Sequence, residues 1–137
     1  MADLNVEDDE YCFACGSKNT IGLHLDFKQV ENSVVCEYVA DKLYQGYAGM
    51  LHGGIASTLL DEVMAWQLIK INKIMAVTVR MEVKFRKPVP IGQKIIIKAS
   101  YDHCERNFHF VKGEIRSEDG KLLVSSTGVF AEGKINI

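Results

Sequence analysis

From Val77 to Phe85 every second residue is apolar: Val77, Val79, Met81, Val83 and Phe85 alternate with Thr78, Arg80, Glu82 and Lys84. Successive side chains of an extended strand point to opposite faces, so this row predicts a strand with one face on a core. Pro88 and Pro90 end it and Gly92 opens the next, at 94–101. A further strand follows at 108–116 and a last one at 122–131, these two joined through Asp119-Gly120, a two-residue hairpin signal. Nearer the start, Leu23, Leu25 and Phe27 alternate with His24, Asp26 and Lys28, and after a turn at Glu31-Asn32-Ser33 a partner strand returns over 34–39. A loop over 41–49 carries two glycines and two tyrosines toward the middle of the chain, where the period changes. Ile55, Leu59, Val63, Trp66 and Lys70 recur three and four residues apart, the spacing of one helix face; a second face reads Gly54, Ser57, Thr58, Asp61, Ala65 and Leu68. The helix opens at Gly53-Gly54 and closes near Asn72, which tolerates left-handed backbone. The order β-β-α-β-β-β-β predicts an α+β domain, one long helix set against a mostly antiparallel sheet.

Composition narrows the function classes. The 137 residues read as a single domain (1–137) whose residues 1–10 form a loosely docked arm. A net charge of −2 with dispersed basic residues leaves no footprint for nucleic acid or an anionic membrane. No apolar run has the length of a membrane span, and the acidic start is unlike a signal peptide. Four scattered cysteines do not make a secreted disulfide framework, so a cytoplasmic protein is expected.

The helix with the paired glycines carries the candidate chemistry. Its second face is built of small residues around one carboxylate, and its N-terminus presents unpaired N–H groups, a combination suited to polarising a carbonyl oxygen beside an acid or base. Gly54 and Asp61 are seven residues apart, hence on nearly the same face but about 10 Å apart along the axis. An aspartate cannot span that distance, so if both act on one atom the carboxylate comes from a second copy. A homodimer with two equivalent interface sites is therefore expected. Simpler readings stand beside this one. The glycines serve a tight entry turn, His52 caps the helix, and Glu62, about 100° round the helix from Asp61, is an ordinary surface neighbour. Met64 and Trp66 are core or tunnel wall, core being preferred. Cys12-x-x-Cys15 is a metal or redox pattern, but no second pair accompanies it and His24, Cys36, His103 and Cys104 are scattered; a tight turn with half-buried thiols is preferred and no metal is expected.

His52-Gly53-Gly54 followed by Asp61 at the head of a long helix resembles the hotdog-fold acyl-CoA thioesterases, specifically the PaaI-like (phenylacetate-pathway) branch. The likeness extends over nearly the whole chain, through Cys12-x-x-Cys15-Gly16, Gly22-Leu23, Gln45-Gly46, and Thr78-Val79-Arg80 through Phe85 to Pro88. It implies a sheet wrapped round the helix, assembly as homodimers or dimers of dimers, and hydrolysis of acyl-coenzyme A thioesters with no metal or organic cofactor. On that resemblance Gly54, next to Gly53, donates its N–H to the thioester oxygen. Asp61 activates water or attacks directly, His52 orders the loop, Gln45 orients thioester or water, and Thr78 places a hydroxyl near the carboxylate. Thr78 lies, by alternation, off the helix-facing row, unless it faces a partner subunit. Gly46 departs from relatives that carry asparagine there, which favours Gln45 as the assisting side chain. Arg80, Lys84, Arg86 and Lys87 read mostly as solvated strand-face charges, and Arg80, Arg86 and Lys87 are the candidates among them to meet the phosphates of the carrier. A non-catalytic acyl-CoA-binding protein on the same fold is the alternative.

Overall fold

The computed structural model describes residues 7–132. Of the expected N-terminal arm, residues 1–6 lie outside the described residues; residues 7–10 are exposed, and Glu10 accepts the Lys18 N–H at its carbonyl. The elements are β1 (Lys28–Val30), β2 (Ser33–Val39), α1 (Gly53–Gln67) continued by a π turn (Leu68–Asn72), β3 (Ala76–Phe85), β4 (Lys94–Glu105), β5 (Phe108–Ser117) and β6 (Leu122–Glu132). A short 3-10 turn, Lys42–Tyr44, precedes the helix. All strand pairs are antiparallel and the sheet order is β1-β2-β4-β5-β6-β3. The sheet packs around α1, as the resemblance to the hotdog family implies; the order of elements by itself points to one long helix against a mostly antiparallel sheet.

The core is the seam between helix and sheet. Leu59, Leu60, Val63 and Met64 of α1 meet Ile95 and Ile97 of β4, Val111 and Ile115 of β5, and Val124 and Phe130 of β6, all without solvent exposure. Burying side chains of this size contributes about 1.5–3 kcal/mol each. Met64 fits because two facing sheet residues lack side chains: a Cβ on Gly113 would lie 3.1 Å from Met64 Cγ, and one on Gly128 3.0 Å from Met64 Cε. The buried face is therefore turned slightly from the expected stripe. Ile55 and Trp66 are only half-buried, while Leu60, Met64 and Gln67 are sealed. Gln67, a polar residue at full burial, is satisfied by the first hairpin: Val34 N–H donates to its Oε1 at 2.9 Å and its Nε2 donates to Asn32 O at 2.8 Å.

Four local expectations shift. Residues 23–27 bury alternate side chains as expected, yet their N–H groups bond to the cysteine loop (Leu23 to Phe13 O, Leu25 to Ala14 O), so the sheet ladder begins only at Lys28. Lys73, not Asn72, takes the left-handed conformation that closes the helix, at φ 59°, because the π turn carries the helix one residue further. The β5–β6 connection is longer than two residues: Ser117 N–H donates to Lys121 O, with Gly120 at φ 92°. The fourth shift is in β3. Its ladder to β6 is broken by a bulge between Thr78 and Arg80, so Ala76 and Thr78 face one way before it and Met81 and Val83 face that same way after it.

Candidate active site

The loop that delivers the chain to α1 is held on both sides. His52 N–H donates to Tyr44 O at 3.0 Å, Leu51 N–H to Val89 O at 2.8 Å and Gly46 N–H to Met50 O at 2.9 Å, with the Leu51 side chain buried beneath. The chain therefore arrives extended, His52 at φ −61° and ψ 134°, and His52 is the helix N-cap, as its simpler reading had it. Its ring Nδ1 accepts the Gly54 N–H at 2.9 Å. That contact explains the glycine: a Cβ on Gly54 would lie 3.1 Å from Nδ1. Among the described residues the Gly53 and Ile55 N–H groups have no acceptor, so the first turn retains the exposed donors expected of it. Gln45 Oε1 accepts the Gly49 N–H at 3.2 Å, which bends the carboxamide over its own loop.

Two hollows share His52 as a wall. One, of about 600 Å³, is lined by Tyr47, Gly53, Phe85, Arg86 and Lys87 among others. The other, of about 360 Å³, includes Leu43, Gln45, Gly54 and Ile55. The structure thus brings His52, Gly53, Gly54, Gln45, Arg86 and Lys87 together. Arg86 Nε donates to Ser125 Oγ at 3.2 Å, and the Lys87 N–H to Leu123 O at 2.9 Å, which sets both residues at the rim. Arg80 is exposed on β3 and lines neither hollow.

Asp61 lies two turns further along α1, half-buried, and Thr78 Oγ1 donates to its Oδ1 at 2.6 Å. Strict alternation had set Thr78 off the helix-facing row; the bulge after it reverses that parity. Thr78 pairs with Phe130, a fully buried, inward residue, so its hydroxyl faces the helix of its own chain. Between Gly54 and Asp61, Ser57 Oγ and Thr58 Oγ1 donate back to Gly53 O and Gly54 O at 3.0 Å each. Those hydroxyls are occupied, and Asp61 is the one charged group on the small-residue face. Within one chain the donors of the first turn and the carboxylate remain about 10 Å apart.

Glu62 is not the solvated neighbour that its position suggested. It turns toward the N-terminal loop, where Cys12 Sγ lies 3.7 Å and Trp66 Nε1 3.1 Å from its Oε1. Burial, and then the Glu62 carboxylate, push the Cys15 thiol well above its ordinary range. Trp66, expected in the core, instead stacks on Phe27 at its margin, centroids 5.9 Å apart. The loop–helix meeting is separated by 50 residues in sequence, so no local pattern signalled it.

Against known proteins, a family model described as "Thioesterase superfamily" matches residues 48–124, which cover α1 and the strands through the start of β6. Acyl-coenzyme A thioesterase THEM4 of Bos taurus is 30% identical over 101 residues, covering 73% of this chain and 41% of that protein. The chain therefore spans less than half the length of that relative. Among solved structures, thioesterase superfamily member 2 of zebra fish superposes with a TM-score of 0.77 at 22% identity, covering 87% of this chain and 90% of that one. The protein smu.793 of Streptococcus mutans UA159, bound to acetyl CoA, gives 0.73 at 21% identity, covering 82% and 91%. These likenesses agree with the helix and sheet described above.

Proposed function

This chain belongs to the thioesterase superfamily, and on that premise we propose that it hydrolyses acyl-coenzyme A thioesters to the free acid and coenzyme A. Support for the substrate class comes from the bovine relative, named an acyl-coenzyme A thioesterase, and from the streptococcal neighbour holding acetyl CoA. The observation that carries the reading is the hydrogen bond from Thr78 to Asp61, which fixes a lone carboxylate on a face otherwise cleared of charge.

The reaction runs across a two-fold axis. Among the described residues β3 ends the sheet with its outer edge unpaired, and Val79 and Phe85 on it are 48% and 57% exposed. Along its own chain β3 passes Asp61 at Thr78 and reaches Gly53 at Phe85, whose ring lies 3.6 Å from where a Gly53 Cβ would be. Pairing two copies of β3 antiparallel sets the Thr78 end of one beside the Phe85 end of the other. Asp61 of one copy then faces the Gly53–Gly54 amides of its twin, the approach that one chain cannot make alone. The thioester oxygen takes the Gly54 N–H in place of the His52 ring, next to the Gly53 N–H, and these donors stabilise the developing oxyanion. Asp61, one oxygen held by Thr78, takes a proton from water as the water oxygen attacks the carbonyl carbon. The C–S bond then breaks, and the coenzyme A thiolate leaves and takes up a proton. Arg86 and Lys87 at the rim meet the carrier phosphates, Arg80 reaching them only across the pair. The reaction calls for no metal or organic cofactor, and four unpaired cysteines suit a reducing compartment such as the cytoplasm.

The test is an acyl-CoA panel with free-thiol detection on wild type and Asp61→Ala. We expect turnover by the wild type and a loss of about 10²–10⁴-fold in the variant with substrate still bound. Equal rates would remove Asp61 from the mechanism, and binding without turnover by the wild type would mark a sensor rather than an enzyme. Single-turnover hydrolysis in ¹⁸O-water tests direct attack by Asp61: label in the Asp61 side chain, from water opening a mixed anhydride at Cγ, shows it.

A further inference from the structure

The cysteine motif near the N-terminus has no part in thioester hydrolysis, yet it is assembled with care. Gly16 N–H donates to Cys12 O at 2.8 Å, and a Cβ on Gly16 would lie 2.4 Å from Cys12 N and 2.5 Å from Glu10 O. Only glycine closes so tight a turn, and the turn sets both thiols toward α1. There Glu62 meets them from 50 residues away, and one ligand atom each from Cys12, Cys15 and Glu62 lie within 4.8 Å of one another, all three residues half-buried. Among the described residues no lysine, arginine or histidine pairs with the Glu62 carboxylate; its other contact is the Trp66 indole N–H. This half-buried carboxylate faces two thiols and, among the described residues, no protein cation.

We propose that Cys12, Cys15 and Glu62 bind a zinc-class divalent ion that fastens the N-terminal loop to the middle of α1. Zinc–sulfur bonds of about 2.3 Å and zinc–oxygen bonds of about 2.1 Å at tetrahedral angles put sulfur and oxygen about 3.6 Å apart. Cys12 Sγ and Glu62 Oε1 are already 3.7 Å apart. Two thiolates and one carboxylate fill three positions and leave a fourth for water. Binding converts two S–H groups to thiolates and releases two protons per ion, with no redox change. The scattered candidates His24, Cys36, His103 and Cys104 are not needed: the missing ligand is a glutamate that folding brings in. Glu62 follows Asp61 directly in α1, so the ion would also fix how the helix presents Asp61.

The test uses the full chain, reduced and stripped of metal, titrated in separate portions with Zn²⁺ and with Co²⁺. The expected result is one ion per chain, about two protons released, and a thiolate-to-cobalt charge-transfer band in the near ultraviolet. Glu62→Gln should keep the band while weakening affinity at least about tenfold, and Cys12→Ser with Cys15→Ser should lose it. Far-UV circular dichroism checks that each variant is folded, and the wild-type titration stands even if one is not. Saturation without the band, or no stoichiometric uptake by reduced wild-type protein, would overturn the proposal.

Discussion

At the scale of single residues, the side chains that matter most are those with one atom engaged and one free. Asp61 has Oδ1 held by Thr78, and Gln45 has its Oε1 on Gly49. A threonine hydroxyl on a carboxylate is a charge-assisted hydrogen bond, worth about 1.5–3 kcal/mol where water is excluded and less at a half-exposed site. Thr78→Val keeps the shape and removes the donor. We expect kcat/KM to fall about tenfold with an unchanged fold, measured by thiol release and circular dichroism; an unchanged kcat/KM would show that the contact is incidental. The residues themselves were legible: His52, Gly53, Gly54 and Asp61 stand out by type and spacing. The partner of Asp61 was not, because one unpaired residue in β3 inverts which face Thr78 occupies, and alternation carries no sign of a bulge. The capping role of His52 was among the simpler readings, but sequence could not show that Glu62 turns to the cysteines, since that depends on side-chain directions set by packing.

At the scale of elements, strand positions after the helix were read to within a residue except at the end of β4, because a half-buried strand must alternate. β4 runs past the expected end at 101 to Glu105, across a register shift between Tyr101 and His103 that alternation does not show. The helix was harder. Its core face includes Gln67, which a hydrophobic pattern passes over, and its fit to the sheet depends on two glycines in strands far along the chain. Gly128 shows the dependence: a Cβ there would stand 2.8 Å from Phe130 Cε1 and 3.0 Å from Met64 Cε. Both neighbours are fully buried and have nowhere to go. Gly128→Ala should lower unfolding stability by about 1–3 kcal/mol in urea titrations with an unchanged m-value. A neutral result would mean that Met64 has another place to lie.

At the scale of the whole molecule, the order of elements predicted one long helix against an antiparallel sheet and the family resemblance supplied its wrapping, whereas the proposed approach of two chains leaves no mark in a single sequence except the awkward distance from Gly54 to Asp61. Mixed dimers test that approach directly. Asp61→Ala keeps its amides and Gly54→Pro, which removes one N–H, keeps its carboxylate. Each alone should be inactive, yet statistical re-pairing gives one intact site in half of the dimers, about a quarter of wild-type activity. No recovery on mixing would place both groups of each site in one chain. The bare margin of β3 has a consequence during synthesis as well. A ten-residue strand with an open row of amides and carbonyls invites any extended peptide to add to it. Arg80, Glu82 and Lys84 put a charge at every second position and make most such guests unwelcome. On the proposed pairing, finding its sister would protect a newborn chain from clumping before it completes a site.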